Sequence, residues 1–256
     1  MYVHNRIKEM SWKTFAERKK QTDLVIIPTG AFEVYGPHLP LGSDTLVAMK
    51  IAEMVASRTN ALIGPALEVG DSSMLDEFPG TITIRPESFK AYLEDVVTSL
   101  VKWGFKDFLF LNTHAGNVPI INQVSYSLRN IKEIRRAQID YWRFIKTMDY
   151  GILESGAAAH SHAGEAGTSV MMYLYPELVD LNRMTDEPGK YQDSFPEVIK
   201  YIPLSSKTES GTVGRSTLAT REKGEQLVLR SVNRIVRFLV ECWSIPEKEV
   251  EQHGSA

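Results

Sequence analysis

Glu33, Tyr35, His38 and Asp44 fall on one short stretch, AFEVYGPHLPLGSD, with Gly36, Pro37, Pro40 and Gly42 spaced between them. Glycine and proline at that density make a rigid loop. Carboxylate oxygens suit hard divalent cations, and an imidazole adds affinity for zinc, manganese or iron. Two further stretches carry the same residue types. LNTHAGN at 111–117 holds His114, and SHAGEAGTS at 161–169 holds His162 and Glu165. Two carboxylates and one histidine can hold a divalent cation and leave positions open for water and substrate, which is the mark of a catalytic metal site. Such a cation polarises a carbonyl and acidifies water. The plainer reading makes Glu33 and Asp44 ordinary loop carboxylates, with Asp44 or Ser43 capping the next helix.

The elements around these residues decide whether they meet. The loop follows Leu24-Val25-Ile26-Ile27, an apolar run long enough for one buried strand. Phe108-Leu109-Phe110-Leu111 is equally apolar and leads into His114. Near-continuous apolar runs indicate burial on both faces, as in a parallel sheet. Further strands are expected at Leu62-Ile63, Thr81–Ile84 and Ala137–Trp142. Helical spacing covers residues 8–20, 45–59, 86–103, 118–131, 165–175 and 222–243. Strand and helix alternate, so the expected fold is α/β: a three-layer α/β/α sandwich with a mostly parallel central sheet. Ligands of such sheets collect beyond the carboxyl ends of the strands. Residues 180–220, with Pro188, Pro196 and Pro203, read as a polar excursion, and the charged tail from Pro246 as frayed. No linker or internal repeat divides the chain, so residues 1–256 are expected to form a single domain.

Composition excludes several classes. The chain has 256 residues, 43% hydrophobic and 24% charged, with a net charge of −3. That is ordinary for a globular protein and gives nucleic acid no basic footprint. No apolar run approaches the roughly 20 residues of a membrane helix, and MYVHNRIKEMSWKTF has no signal-peptide core. The single cysteine, Cys242, excludes an internal disulfide and fits a reducing cytoplasm. It is expected to be a packed helix residue rather than a nucleophile. His160 is expected to be a solvated loop residue.

PTGAFEVYGPHLPLGSD resembles the signature of the creatininase (creatinine amidohydrolase) family, P-x-G-S-x-E-Q-H-G-P-H-L-P-L-x-T-D. LNTHAGN resembles the family's N-x-H-G-G-N, and SHAGEAGTS its H-A-G-E-x-E-T-S. GTVGRSTLATREKG at 211–224 resembles G-V-x-G-D-P-x-x-A-T-x-E-K-G. The four matches keep the family's order and span most of the chain. The resemblance implies a first metal on Glu33, Asp44 and His114. It implies a second on positions that are Tyr35, Asp44 and Gly116 here, so two of those ligands are missing. One tight divalent metal per chain (zinc, manganese or iron) is therefore expected, with His38 or Glu165 as the alternative substitute ligands. The segment 70–84 is implied at the mouth of the site, and a homo-oligomer, a hexamer, is implied for the assembly.

Catalytic candidates are His162, Glu165, Tyr35 and His38. The family's matching histidine makes His162 a candidate proton shuttle, and an unperturbed pKa of about 6.5 suits that role. Glu165 is either an acid/base or a fourth metal ligand. Tyr35 is either a packed aromatic or a phenol that bonds substrate or water. Gly167 replaces a further family carboxylate, so the site has less charge than a typical member, which argues against creatinine itself. Arg215 replaces the aspartate of G-D-P and could meet an anionic or hydroxyl-rich substrate or a subunit contact. The expected activity on a small-molecule substrate is hydrolysis of a cyclic amide or formamide. Cleavage of a carbon–carbon bond in a cyclic diketone is the alternative, and a non-catalytic binding protein is the alternative of another class.

Overall fold

Leu24, Ile26, Leu109 and Leu111 face one hydrophobic cluster, while Val25, Ile27, Phe108 and Phe110 face another. A strand turns alternate side chains to opposite faces, so these two apolar runs must lie between two helical layers. The computed structural model describes residues 5–187, 195, 197, 198 and 200–248. Pro188, Pro196 and the tail from 249 on lie outside them. In chain order the elements are α1 (Trp12–Lys19), β1 (Leu24–Thr29), α2 (Ser43–Thr59), β2 (Leu62–Ile63), α3 (Pro86–Lys102), β3 (Asp107–Asn112), α4 (Val118–Ser127), β4 (Arg135–Asp140), α5 (Tyr141–Lys146), α6 (Glu165–Leu174), β5 (Asp186–Glu187), β6 (Gly214–Arg215) and α7 (Arg221–Trp243).

The main sheet is parallel, in the order β2-β1-β3-β4. Helices α2, α6 and α7 cover one face with the larger cluster, and α3 and α4 cover the other. The fold is thus the α/β/α sandwich. Strand order reverses between β1 and β3, where the chain first builds outward to β2 and then returns to the other side of β1. That reversal opens a crevice beyond the carboxyl ends of the two strands. Thr29 and Asn112 are register partners there, so the loops that carry Glu33 and His114 leave the sheet side by side.

Several expectations change. Thr81–Ile84 is not a strand; Ile82 makes a single antiparallel bridge to Phe32. Ile82 N–H bonds Phe32 O and Ile84 N–H bonds Gly70 O, so the segment is pinned between two loops instead of joining a ladder. The strand expected to reach Trp142 ends at Asp140, and Tyr141 and Trp142 open the short α5. Cys242 does lie on α7, but its side chain is exposed. The apolar stripe of α7 runs through Leu227, Val228, Ile235 and Leu239, and position 242 falls outside it. The 180–220 excursion contributes short helical turns and the two-stranded β5–β6 pair. Among the described residues no helix is long and apolar enough to cross a membrane.

Helices α6 and α7 meet closely because Gly224 has no side chain. A Cβ there would stand 1.9 Å from Ser169 O. Backbone on both sides cannot yield cheaply, and overpacking typically costs about 1–3 kcal/mol. Gly224→Ala should therefore lower unfolding stability by at least about 2 kcal/mol in urea titration, with wild-type stability contradicting the close crossing.

Candidate metal centre

Three side chains converge in the crevice. Glu33 comes from the loop after β1, Asp44 from the first turn of α2 and His114 from just past β3. His114 Nδ1 lies 3.3 Å from Glu33 Oε1 and 3.4 Å from Asp44 Oδ2. One ligand atom from each of the three lies within 4.8 Å of the others, and this is the one such group among the described residues. All three residues are buried.

Each side chain is held from behind. His114 Nε2 is 2.7 Å from Asp71 O. A carbonyl only accepts, so Nε2 carries a proton and Nδ1 turns toward the carboxylates. Ser72 Oγ donates to Glu33 Oε2 at 2.6 Å, and Trp142 Nε1 donates to Asp44 Oδ1 at 3.1 Å. Every ligating group thus has one polar atom fixed by the protein and one facing the common point, the support that metal ligands need. Asn117 ties the frame together. Its side chain bonds Gly30 O and the Asp71 N–H, joining the β1 loop, the 71 loop and the end of β3.

The electrostatics ask for positive charge at that point. Burial pushes the Asp44 carboxyl up to about 6, with the Glu33 charge adding to it and the His114 bond opposing. Burial would raise Glu33 too, but the His114 bond and charge bring it below the usual carboxylate range. His114 is raised well above 6.5 against its burial, because both carboxylates bond and attract it. Two buried carboxylates without a cation beside them are costly. A divalent cation suits the donor set and meets that demand.

The cluster floors a cavity of about 340 Å³, lined also by Tyr35, Met74, Leu75, Trp142, His160 and His162. Of the segment 70–84, Asp71, Met74 and Leu75 line the cavity. Tyr35 stacks on Trp142 at 5.9 Å and meets the edge of His162 at 4.7 Å. Its phenol is raised well above 10 by burial and by the Asp44 and Glu33 charges, so it keeps its proton. A Cβ on Gly167 would stand 2.5 Å from the Tyr35 oxygen. Tyr35 thus fills the space that a larger residue at 167 would need. Likewise a Cβ on Gly116 would stand 2.2 Å from Asp71 O. His162 Nε2 is 2.8 Å from Val34 O, which places its proton on Nε2 and leaves Nδ1 as an acceptor. Burial lowers its pKa below 6.5, with the Glu33 charge opposing.

Two expected site residues stand elsewhere. The Glu165 carboxylate is tied to Lys223 Nζ at 2.7 Å, to the backbone N–H groups of Glu154 and Ser155 and to the Ser155 hydroxyl. It does not line the cavity or join the cluster, so neither a fourth-ligand nor an acid/base role matches its position. Its charge is consumed in holding the 154–155 loop to α6 and α7. His38 bonds Thr168 Oγ1 at 2.8 Å, is buried and also lies outside the cavity. Arg215, exposed on β6, pairs with Asp186 at 3.3 Å, away from the cavity. Asp71, Ser72 and Trp142 were not singled out by sequence reasoning. Asp71 acts through its main chain, which no side-chain pattern reveals. Trp142, two residues past a strand end, was open to that inference.

A parallel sheet with a carboxylate–carboxylate–imidazole cluster at its switch point is the framework of a metal-dependent hydrolase. The family model described as creatinine amidohydrolase matches residues 8–239. The chain belongs to the creatininase family. It is 29% identical to the creatinine amidohydrolase of Pseudomonas putida over 241 residues, 87% of this chain and 91% of the other. It is 28% identical to 3-dehydro-scyllo-inosose hydrolase of Thermotoga maritima over 264 residues, covering 91% of this chain and 82% of the other. The solved structure of creatininase Mn superposes with a TM-score of 0.82 at 26% identity, covering 95% of this chain and 100% of that one.

Burial lowers the His38 pKa from 6.5 to about 4. The unfolded chain takes up this proton near pH 6.5 and the native chain near pH 4. Stability from His38 is thus full above 6.5 and is lost as pH falls toward 4, by roughly 3 kcal/mol in all. Urea titrations from pH 7 to 4 should show a shallower decline in His38→Gln than in wild type; parallel curves would contradict the assignment.

Proposed function

We propose that the chain hydrolyses the carbonyl-centred C–N bond of a small cyclic amide or formamide, with one divalent cation per chain on Glu33, Asp44 and His114. The observation that carries the reading is the cluster of these three side chains at the floor of a cavity sized for a small molecule. When bound, the cation supplies Lewis-acid polarisation of a carbonyl and activation of water. The chain's own residues supply the rest. Tyr35, which keeps its proton, donates a hydrogen bond to an oxygen that gains charge. His162, neutral with a free Nδ1, accepts a proton and returns it to the departing nitrogen. Glu33 lends the transient imidazolium a favourable charge. Trp142 and Tyr35 wall the cavity against water.

The crowding at Gly116 and the phenol at position 35 support a single cation, since both sit where the family resemblance puts a second set of ligands. The donor set supports zinc, manganese or iron. A second reading, cleavage of a carbon–carbon bond in a cyclic diketone, draws support from the Thermotoga relative's name. Carbonyl attack serves either reading, and a screen of cyclic amides and cyclic diketones separates them. The uninterrupted sequence supports one domain, the single cysteine supports a cytoplasmic setting, and the family resemblance supports a homo-oligomer, a hexamer.

Asp44→Ala and His114→Ala should lose metal and activity while staying folded, whereas Glu165→Gln should keep its metal. Elemental analysis of the wild type should give about one tight metal per chain. Full occupancy in either ligand variant, or two tight metals in the wild type, contradicts the assignment.

His162→Ala should lower turnover by about 10²–10⁴-fold with metal retained. The neutral imidazole is the working form and its pKa lies below 6.5. The rate should therefore hold at neutral pH and fall as the imidazole takes up its proton below pH 6.5. An acid limb that survives in His162→Ala would assign it to another group.

A further inference from the structure

Ala163 holds a left-handed backbone, with φ at +50°. Glycine adopts that conformation freely, whereas a Cβ there crowds the carbonyl that follows. A residue other than glycine keeps it only where its surroundings impose it, and such residues gather at functional sites. Ala163 is fully buried and stands directly after His162, in the turn that leads into α6. Its carbonyl accepts the Thr168 hydroxyl at 3.2 Å. A hydroxyl has one proton, and here it goes to Ala163, so Thr168 Oγ1 meets His38 Nε2 at 2.8 Å as the acceptor. His38 thus aims the hydroxyl, and the hydroxyl fixes the Ala163 peptide. His162 is tied on both sides of that peptide. Its ring bonds Val34 O at 2.8 Å, and its carbonyl accepts the Val213 N–H at 2.8 Å. Val34 and His38 both lie between β1 and α2, on the loop that carries Glu33. The imidazole therefore hangs from the metal-ligand loop twice: directly at the ring, and through Thr168 at the next peptide.

We propose that Thr168 and His38 are positioning residues for His162: they hold Ala163 in its left-handed conformation, and that conformation keeps the imidazole in the cavity with its Nε2 proton on Val34 O. This rests on the reading that His162 moves the proton of the reaction. A left-handed residue reverses the course of the chain, so residue 163 sets the direction from which the His162 side chain arrives. An ordinary backbone there would swing the ring off Val34 O. Displacement of a catalytic group by about 1 Å can cost on the order of 10²-fold in rate. His38, buried and outside the cavity, thereby takes part in the site at two bonds' remove.

The test uses the full-length protein loaded with zinc and labelled with ¹⁵N-histidine, its His162 signals identified by their loss in His162→Gln. The wild type should show a neutral ring whose Nε2 proton is protected from exchange. Thr168→Val removes the hydroxyl and should abolish that protection, while Thr168→Ser, which keeps a hydroxyl, should preserve it. Ala163→Gly added to Thr168→Val should restore it, because glycine holds the left-handed conformation without help. His38→Leu leaves the hydroxyl but nothing to aim it, and should lose part of the protection. On a substrate from the screen, Thr168→Val should lower kcat by about 10- to 100-fold with KM and metal content near wild type, and the added Ala163→Gly should recover most of the loss. If Thr168 served packing alone, the glycine would rescue nothing. Unchanged His162 signals in Thr168→Val, absence of rescue by Ala163→Gly, or loss of metal together with the hydroxyl overturns the proposal. Should Thr168→Val not fold, His38→Leu with and without Ala163→Gly carries the same comparison. Failure of the ring-hydrolysis reading looks different: no ring in the screen is turned over, while the Nε2 proton still judges how His162 is held.

Discussion

The site depends on one hydrogen bond, from His114 Nε2 to the backbone carbonyl of Asp71. It commits Nε2 to the carbonyl, and so decides that Nδ1 is the ring nitrogen that faces the two carboxylates. The bond needs the 71 loop at a set height above the sheet, and Asn117 sets that height by bonding Asp71 N–H and Gly30 O together. Gly30 in turn lies so close to Thr45 that no side chain fits between them, which brings the first turn of α2, and with it Asp44, into range. A main-chain contact thus links three loops and the helix start into one geometry.

Around that geometry the aromatic part of the wall is neutral. Tyr35 keeps its phenolic proton, His162 is uncharged, and Trp142 gives Asp44 a hydrogen bond without adding charge. The buried negative charge sits on the two carboxylates of the cluster, with Asp71 also lining the cavity. The remaining carboxylate of the HAGE segment, on Glu165, is turned away and neutralised by Lys223. A low-polarity wall around concentrated charge strengthens whatever electrostatic work is done there.

Much of this was legible in the residues and some was not. The runs at 24–27 and 108–111 announced two buried parallel strands, because a strand with one solvated face would alternate apolar and polar residues. The loop residues Glu33 and Asp44 and the strand-end His114 stood out by type and position. Glu165 misled, since its partner Lys223 lies far along the chain and only the α6–α7 crossing brings them together. His160 misled in the opposite sense: a polar, glycine-rich segment reads as solvent-exposed, yet the fold presses it into a wall. Thr81–Ile84 has strand-forming residues, but its backbone is tied to Phe32 and Gly70 in the neighbouring loops instead of a ladder. The Asp71 carbonyl left no trace in side-chain pattern at all, because every residue has one.

The close approach at Gly116 also bears on how such a chain can change over generations. The carbonyl of Asp71 already occupies the place that any side chain at 116 would enter. The His114 bond has come to rely on that carbonyl. A carboxylate at 116 could then be accommodated only after the 71 loop had shifted, and a shifted loop would forfeit the imidazole's orientation. Gly167 is bound to Tyr35 in the same way, since a side chain at 167 meets the phenol. Positions 116 and 167 are thus epistatic with their neighbours: a side chain at either needs a compensating change at the 71 loop or at Tyr35.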